Sequence, residues 1–118
     1  MRLGILLCWI VVGWVAVTDL ALAGDESLAI LTIHNQQFDP NKLAIPSGVK
    51  VKIIVRNQDS MPVEFESYDL SREVVVPGHG EVAIFVGPVE QGTYQYFNDF
   101  NHDMQGAVEA KPAAKKGN

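Results

Sequence analysis

Residues 49–57 (VKVKIIVRN) show the chain's dominant pattern: Val49, Val51, Ile53 and Val55 alternate with Lys50, Lys52, Ile54 and Arg56. A period of two puts successive side chains on opposite faces, so this stretch predicts a strand with one face buried and one largely solvated. Further β-type runs are predicted at 28–34, 43–46, 63–67, 72–77, 81–87, 92–97 and 106–110. Turn-forming residues separate several of them: Pro46-Ser47-Gly48, Asn57-Gln58-Asp59-Ser60, Pro77-Gly78-His79-Gly80 and Gly87-Pro88. No ten-residue window carries a convincing helical period. About eight short strands at this spacing imply an all-β fold, a Greek-key β-sandwich.

The first 23 residues follow a different pattern. Arg2 precedes an apolar run at 3–17, and Ala21-Leu22-Ala23 lies just before polar Gly24-Asp25-Glu26. That order is the signature of a secretory signal peptide cleaved after Ala23. The apolar run is shorter than the roughly 20 residues a spanning helix needs, and Asp19 interrupts its end. Cys8, the single cysteine, lies inside the run and not at position 24, so lipidation is not expected. The mature chain then has no cysteine, hence no disulfide, thiolate ligand or cysteine nucleophile. The expected organisation is a signal peptide at 1–23, one domain at 24–110 and a disordered Lys-rich tail at 111–118 (KPAAKKGN).

Charge narrows the partners. Of 118 residues with net charge −5, positions 24–110 hold 13 acids against 5 bases, which disfavours nucleic acid and anionic lipid and favours cations. Glycine loops for nucleotides, a nucleophile elbow and closely paired histidines are all missing from the sequence. Two clusters remain. On a strand, Glu64 and Glu66 project from one face, and a cation between them would relieve their mutual repulsion; they also suit a plain solvated face. Residues 98–104 (NDFNHDM), expected as a loop between the last two strands, offer carboxylate, imidazole and thioether groups of the kind copper or iron accepts, or form an ordinary polar loop. His34 and His79 read as ordinary edge and turn residues, and Met61 as a loop residue packing on the domain end.

In combination these segments resemble the cupredoxin fold, and more closely the cupredoxin-like domains of bacterial iron-uptake systems. The resemblance is carried by Phe38-Asp39-Pro40, by 43–70 with Asn57-x-Asp59 and Glu64-Phe65-Glu66-Ser67, by 74–86, and by 92–110 from Gly92-x-Tyr94 to Gly106. Matched to electron-transfer cupredoxins, Val63 or Glu64 falls at the first histidine and Asn98 at the cysteine. His102 falls at or beside the second histidine, and Met104 near the methionine. A blue copper centre needs the missing thiolate. The resemblance therefore implies an oxygen-rich site made by Glu64, Glu66, Asp99 and His102, with Met104 a weak axial ligand. It further implies copper as the bound metal, with iron as substrate or alternative metal. A periplasmic location follows from it, beside a periplasmic iron-binding protein and an inner-membrane iron permease, with a ferroxidase-like role in ferrous iron oxidation. A non-redox metal carrier and a metal-free protein-docking module are the alternatives.

Overall fold

A computed structural model describes residues 27–113 of the protein. The signal-peptide and cleavage expectations for 1–23, and most of the expected tail, lie outside the described residues. Those described form nine strands and no helix. They are β1 (Ser27–His34), β2 (Gln37–Asp39), β3 (Lys42–Pro46), β4 (Val51–Asn57), β5 (Val63–Ser67), β6 (Arg72–Val76), β7 (Glu81–Val86), β8 (Gly92–Asn98) and β9 (Asn101–Lys111).

Two sheets face each other, one in the order β2-β1-β4-β7 and the other β3-β9-β8-β5-β6. The β1–β4 and β3–β9 pairs are parallel and the rest antiparallel. The alternation in β4 lands as its sequence demands: Val51, Ile53 and Val55 are fully buried, while Lys52, Ile54 and Arg56 face outward. Leu31 and Ile33 of β1 and Ile84 and Val86 of β7 complete that inner face. From the other sheet come Val63, Phe65, Val76, Tyr96 and Val108. The rings of Phe38, Phe65 and Tyr96 meet at the centre, with Phe38–Tyr96 and Phe65–Tyr96 centroids both 4.9 Å apart.

Three details differ from the sequence-based expectation. β2 is an additional strand, too short at three residues to show a period by itself. Its hairpin with β1 turns through Asn35 (φ 53°) and Gln36 (φ 59°), the left-handed pair that a tight hairpin turn requires. The Asp59 carboxylate accepts both of their backbone N–H groups at 2.9 and 2.8 Å, which explains the Asp in Asn57-x-Asp59. Second, the expected loop at 98–104 is mostly strand. β9 begins at Asn101, and only Asp99 and Phe100 form the turn. Third, β9 continues to Lys111, which sits opposite Pro46 of β3, one residue beyond the expected domain boundary.

Packing around Tyr96 yields a test. A Cβ on Gly106 would stand 2.6 Å from the Tyr96 ring, which is held between Phe38 and Phe65 and has no room to retreat. Among the described residues the Tyr96 hydroxyl finds no hydrogen-bond partner. Gly106→Ala should therefore lose about 1–3 kcal/mol in urea denaturation through overpacking. Tyr96→Phe should be neutral or gain about 1 kcal/mol, because it removes a buried polar atom that nothing satisfies.

Candidate metal centre

The functional candidates lie where the ladder of the second sheet is shortest, between β5 and β8. β5 alternates Val63, Phe65 and Ser67 toward the core with Glu64 and Glu66 on the outer face. Ser67 serves the fold: its hydroxyl donates to the Gln95 carbonyl at 2.7 Å and accepts the Leu70 N–H at 3.1 Å. β8 brings the hairpin tip alongside, with Phe65 opposite Asn98 and Glu66 opposite Phe97. The Asp99 N–H donates to the Glu64 carbonyl at 2.9 Å. In consequence carboxylate oxygens of Glu64, Glu66 and Asp99 all lie within 4.8 Å of one another.

His102 joins from the far side of Asp99, its Nε2 2.8 Å from Asp99 Oδ1. The imidazole stacks edge-on against Phe97 at 5.2 Å, and Phe97 in turn packs on Tyr68 at 5.5 Å. With Nε2 on Asp99, Nδ1 is the ring nitrogen left to act as a ligand. Met104 stands apart. It is 3% exposed within the hydrophobic core, on the inner side of the sheet, and its sulfur accepts from Asn98 Nδ2 at 3.5 Å. Three of the five sequence-derived candidates thus converge directly, His102 is attached through Asp99, and Met104 is a core residue.

β9 explains the separation of His102 from Met104. Phe97 pairs with Gln105 but the next residue, Asn98, pairs with Asn101, so His102, Asp103 and Met104 bulge out of the β8 register. A bulge re-aims side chains that a regular strand would send in fixed alternation. Here one end of the bulge presents imidazole to solvent and the other buries a thioether. The acidic face also includes a residue the motifs did not flag: Glu73 of β6 lies directly opposite Glu66. Only strand register reveals it, since nothing in REVVV marks Glu73 as special.

Crowding of like charges shifts these groups. Glu66 is pushed up to about 7, chiefly by a hydrogen bond shared with Glu73, then by burial and by the negative charges of Glu73, Asp99 and Glu64. Glu64 is raised by its hydrogen bond with Asp99, by burial and by neighbouring Glu73 and Asp99. Asp99 moves the opposite way, lowered first by the His102 hydrogen bond and then by that from Glu64. Among the described residues the ion pairs are Arg56–Glu81, His102–Asp99 and Lys111–Glu109. None of them neutralises Glu64, Glu66 or Glu73.

The thiolate-based copper centre of electron-transfer cupredoxins does not fit these residues. No cysteine occurs among the described residues, and the position matching it holds Asn98, 2% exposed with its carboxamide fully engaged. The three converging carboxylates do fit a divalent cation of hard character, with the His102 imidazole attached through Asp99.

The sequence profile of the cupredoxin-like domain family matches residues 5–109. The chain belongs to the cupredoxin-like domain family. An uncharacterised protein of Rickettsia prowazekii (strain Madrid E) is 38% identical to this cupredoxin-like chain over 73 residues, 62% of this chain and 58% of that protein. The chain thus spans little more than half of that relative. Among solved structures, it is similar to the metal-binding domain of the Streptococcus pneumoniae D39 Cu(I)-exporting P-type ATPase CopA with Cu(I) (TM-score 0.64, 11% identity, 75% of this chain and 88% of that one). It is also similar to auracyanin A, a "blue" copper protein from Chloroflexus aurantiacus (0.60, 15%, 73% and 99%). Amicyanin from Paracoccus versutus has the same fold (0.57, 19%, 75% and 83%). At these identities the likeness is one of fold.

The raised Glu66 sets the pH response. Between its ordinary value of 4.5 and about 7 the folded protein holds a proton that the unfolded chain has released. Stability from this group is therefore greatest below pH 4.5 and is lost as pH rises to about 7. Asp99, lowered by His102, contributes in the other sense, losing its stabilisation only as pH falls below the ordinary value of 3.8. Thermal melts of the metal-free protein should accordingly show Glu66 favouring pH 5 over pH 7.5. Glu73→Gln should shrink that difference by bringing Glu66 back toward its ordinary value.

Proposed function

We propose that this cupredoxin-like domain is a periplasmic metal-binding protein that takes copper or iron at its outer carboxylate cluster and assists ferrous iron oxidation and uptake. The observation that carries this reading is the convergence of Glu64, Glu66 and Asp99 within 4.8 Å, with His102 hydrogen-bonded to Asp99. A cation there would offset the repulsion between Glu64 and Glu66, which no ion pair among the described residues relieves, and the acidic body of the chain would concentrate cations near it.

Each residue has a distinct task. Glu64 and Glu66 supply two oxygen ligands from one strand face, spaced by the pleat. Asp99 supplies a third from the hairpin tip, and its low pKa keeps it ionised when its neighbours are not. His102 orients Asp99 and offers imidazole nitrogen, the donor that favours copper(II) over calcium or magnesium. Copper(II) held by these residues would supply a one-electron acceptor for ferrous iron, with oxygen or a permease-linked electron carrier as the re-oxidant. Export by the residue 1–23 segment, and work beside a periplasmic iron-binding protein and an inner-membrane iron permease, complete the proposal.

A non-redox carrier is the second reading, favoured by the exposure of the hairpin side of the site: the His102 side chain is 70% exposed and Asp99 39%, although Glu66 is 8% exposed. An open site exchanges metal readily with a partner. Calorimetric titration of the protein with copper(II) should give one ion per chain and no intense blue absorption. Glu64→Gln and His102→Ala should each weaken binding by about 10–100-fold with an unchanged circular dichroism spectrum. Wild-type affinity in both variants would sink the site assignment. Ferrous oxidation under air, measured with and without copper, separates the redox reading from the carrier.

A further inference from the structure

Asn98 is a buried side chain whose polar atoms are all committed. Its Oδ1 accepts the Glu64 N–H and the Phe100 N–H, both at 3.0 Å, and its Nδ2 donates to Met104 Sδ at 3.5 Å. These bonds join β5, the hairpin turn and the β9 bulge at one point. Regular pairing does little there, since β5 and β8 share only the Phe65–Asn98 and Glu66–Phe97 register pairs. Residues 102–104 have no partner on β8. The Asp99 N–H bond to the Glu64 carbonyl closes the same ring of contacts. The two residues whose main chains Asn98 fixes, Glu64 directly and Asp99 through its neighbour Phe100, carry two of the three converging carboxylates.

We propose that Asn98 is the positioning residue of the cation site, a hydrogen-bonded clamp that sets the spacing between Glu64 and Asp99 before any ion arrives. The inference rests on reading the carboxylate cluster as a cation site. It assigns Asn98 no contact with the ion: the carboxamide lies among core residues, whereas Glu64 and Glu66 alternate with core-facing Val63, Phe65 and Ser67 on the other face of β5, Glu64 half-buried and Glu66 8% exposed. In the alignment with electron-transfer cupredoxins this position belongs to a metal-ligating cysteine. Here its amide links β5, the hairpin turn and the β9 bulge by hydrogen bonds. Such a clamp lowers the ordering cost of binding, because the carboxylates need not be gathered by the ion.

The test compares Asn98→Leu, branched at the same carbon but unable to hydrogen-bond, with Ile53→Val, a core change in the opposite sheet. Copper(II) affinity is read by calorimetry, and amide exchange of the metal-free proteins by NMR. Asn98→Leu should weaken copper(II) binding by about 10–100-fold, the range for partners that orient ligands. Exchange at Glu64 and Phe100 should accelerate roughly tenfold or more while β8 stays protected. Ile53→Val should leave affinity within about twofold. Wild-type affinity in Asn98→Leu, or equal losses in both variants, would overturn the proposal. Should Asn98→Leu not fold, Asn98→Asp keeps the acceptor and must keep Glu64 and Phe100 protected; lost protection there overturns the clamp. If the wild-type protein takes up no copper(II), the site reading fails. The clamp is then decided by exchange alone: unchanged rates at Glu64 and Phe100 in Asn98→Leu refute it.

Discussion

The junction between β5 and β8 is the point on which the rest of the molecule depends. Only two residue pairs are in ladder register there, yet the junction joins the β5–β6 hairpin to the remainder of its sheet. Side chains supply what the ladder lacks. Ser67 reaches the Gln95 carbonyl, Asp69 receives the Gln95 N–H at 2.8 Å, and Asn98 receives the Glu64 N–H. Beneath them Phe65 and Tyr96, one from each strand, pack against each other and against Phe38 from the opposite sheet. A short ladder strengthened by local polar bonds and one aromatic cluster thus holds the carboxylate-bearing strand in place.

That arrangement accepts an electrostatic conflict. Like charges directly opposite on neighbouring strands destabilise a sheet, and Glu66 faces Glu73 across β5 and β6. Glu64 and Asp99 crowd the same surface, and of the three carboxylates the His102 imidazole bonds only to that of Asp99. Other charges on the molecule are arranged conventionally, as with Arg56 and Glu81 at 2.9 Å on the outer face of the other sheet. Strain confined to one patch, in a fold otherwise locally consistent, is the pattern expected where binding sets the sequence rather than stability.

Much of this architecture is legible in the residues because burial is periodic. The β4 alternation specifies its own inner face, and the same logic places Phe65 inward and both glutamates outward. What remains hidden depends on register. β2 is too short for a period, and its turn is held by Asp59 from 23 and 24 residues away. Glu73 becomes relevant only once β6 is aligned on β5. The β9 bulge defeats simple counting: Met104, two residues after His102, is carried into the core while His102 stays in solvent. Asn98 reads as one more polar residue in an acidic stretch until its partners across the strand are known.

The parallel pairing of β3 with β9 has a consequence for the order in which the molecule can assemble. Residues 42–46 are an edge strand whose sheet neighbour comes from residues 107–111. A chain emerging from its N-terminus first therefore carries β3 without a sheet partner until residues 107–111 are available. Closing so long a loop is entropically costly and makes folding slow relative to helical domains of similar size. β9 lies between β3 and β8, so its docking completes the edge of the sheet and joins residues more than sixty positions apart.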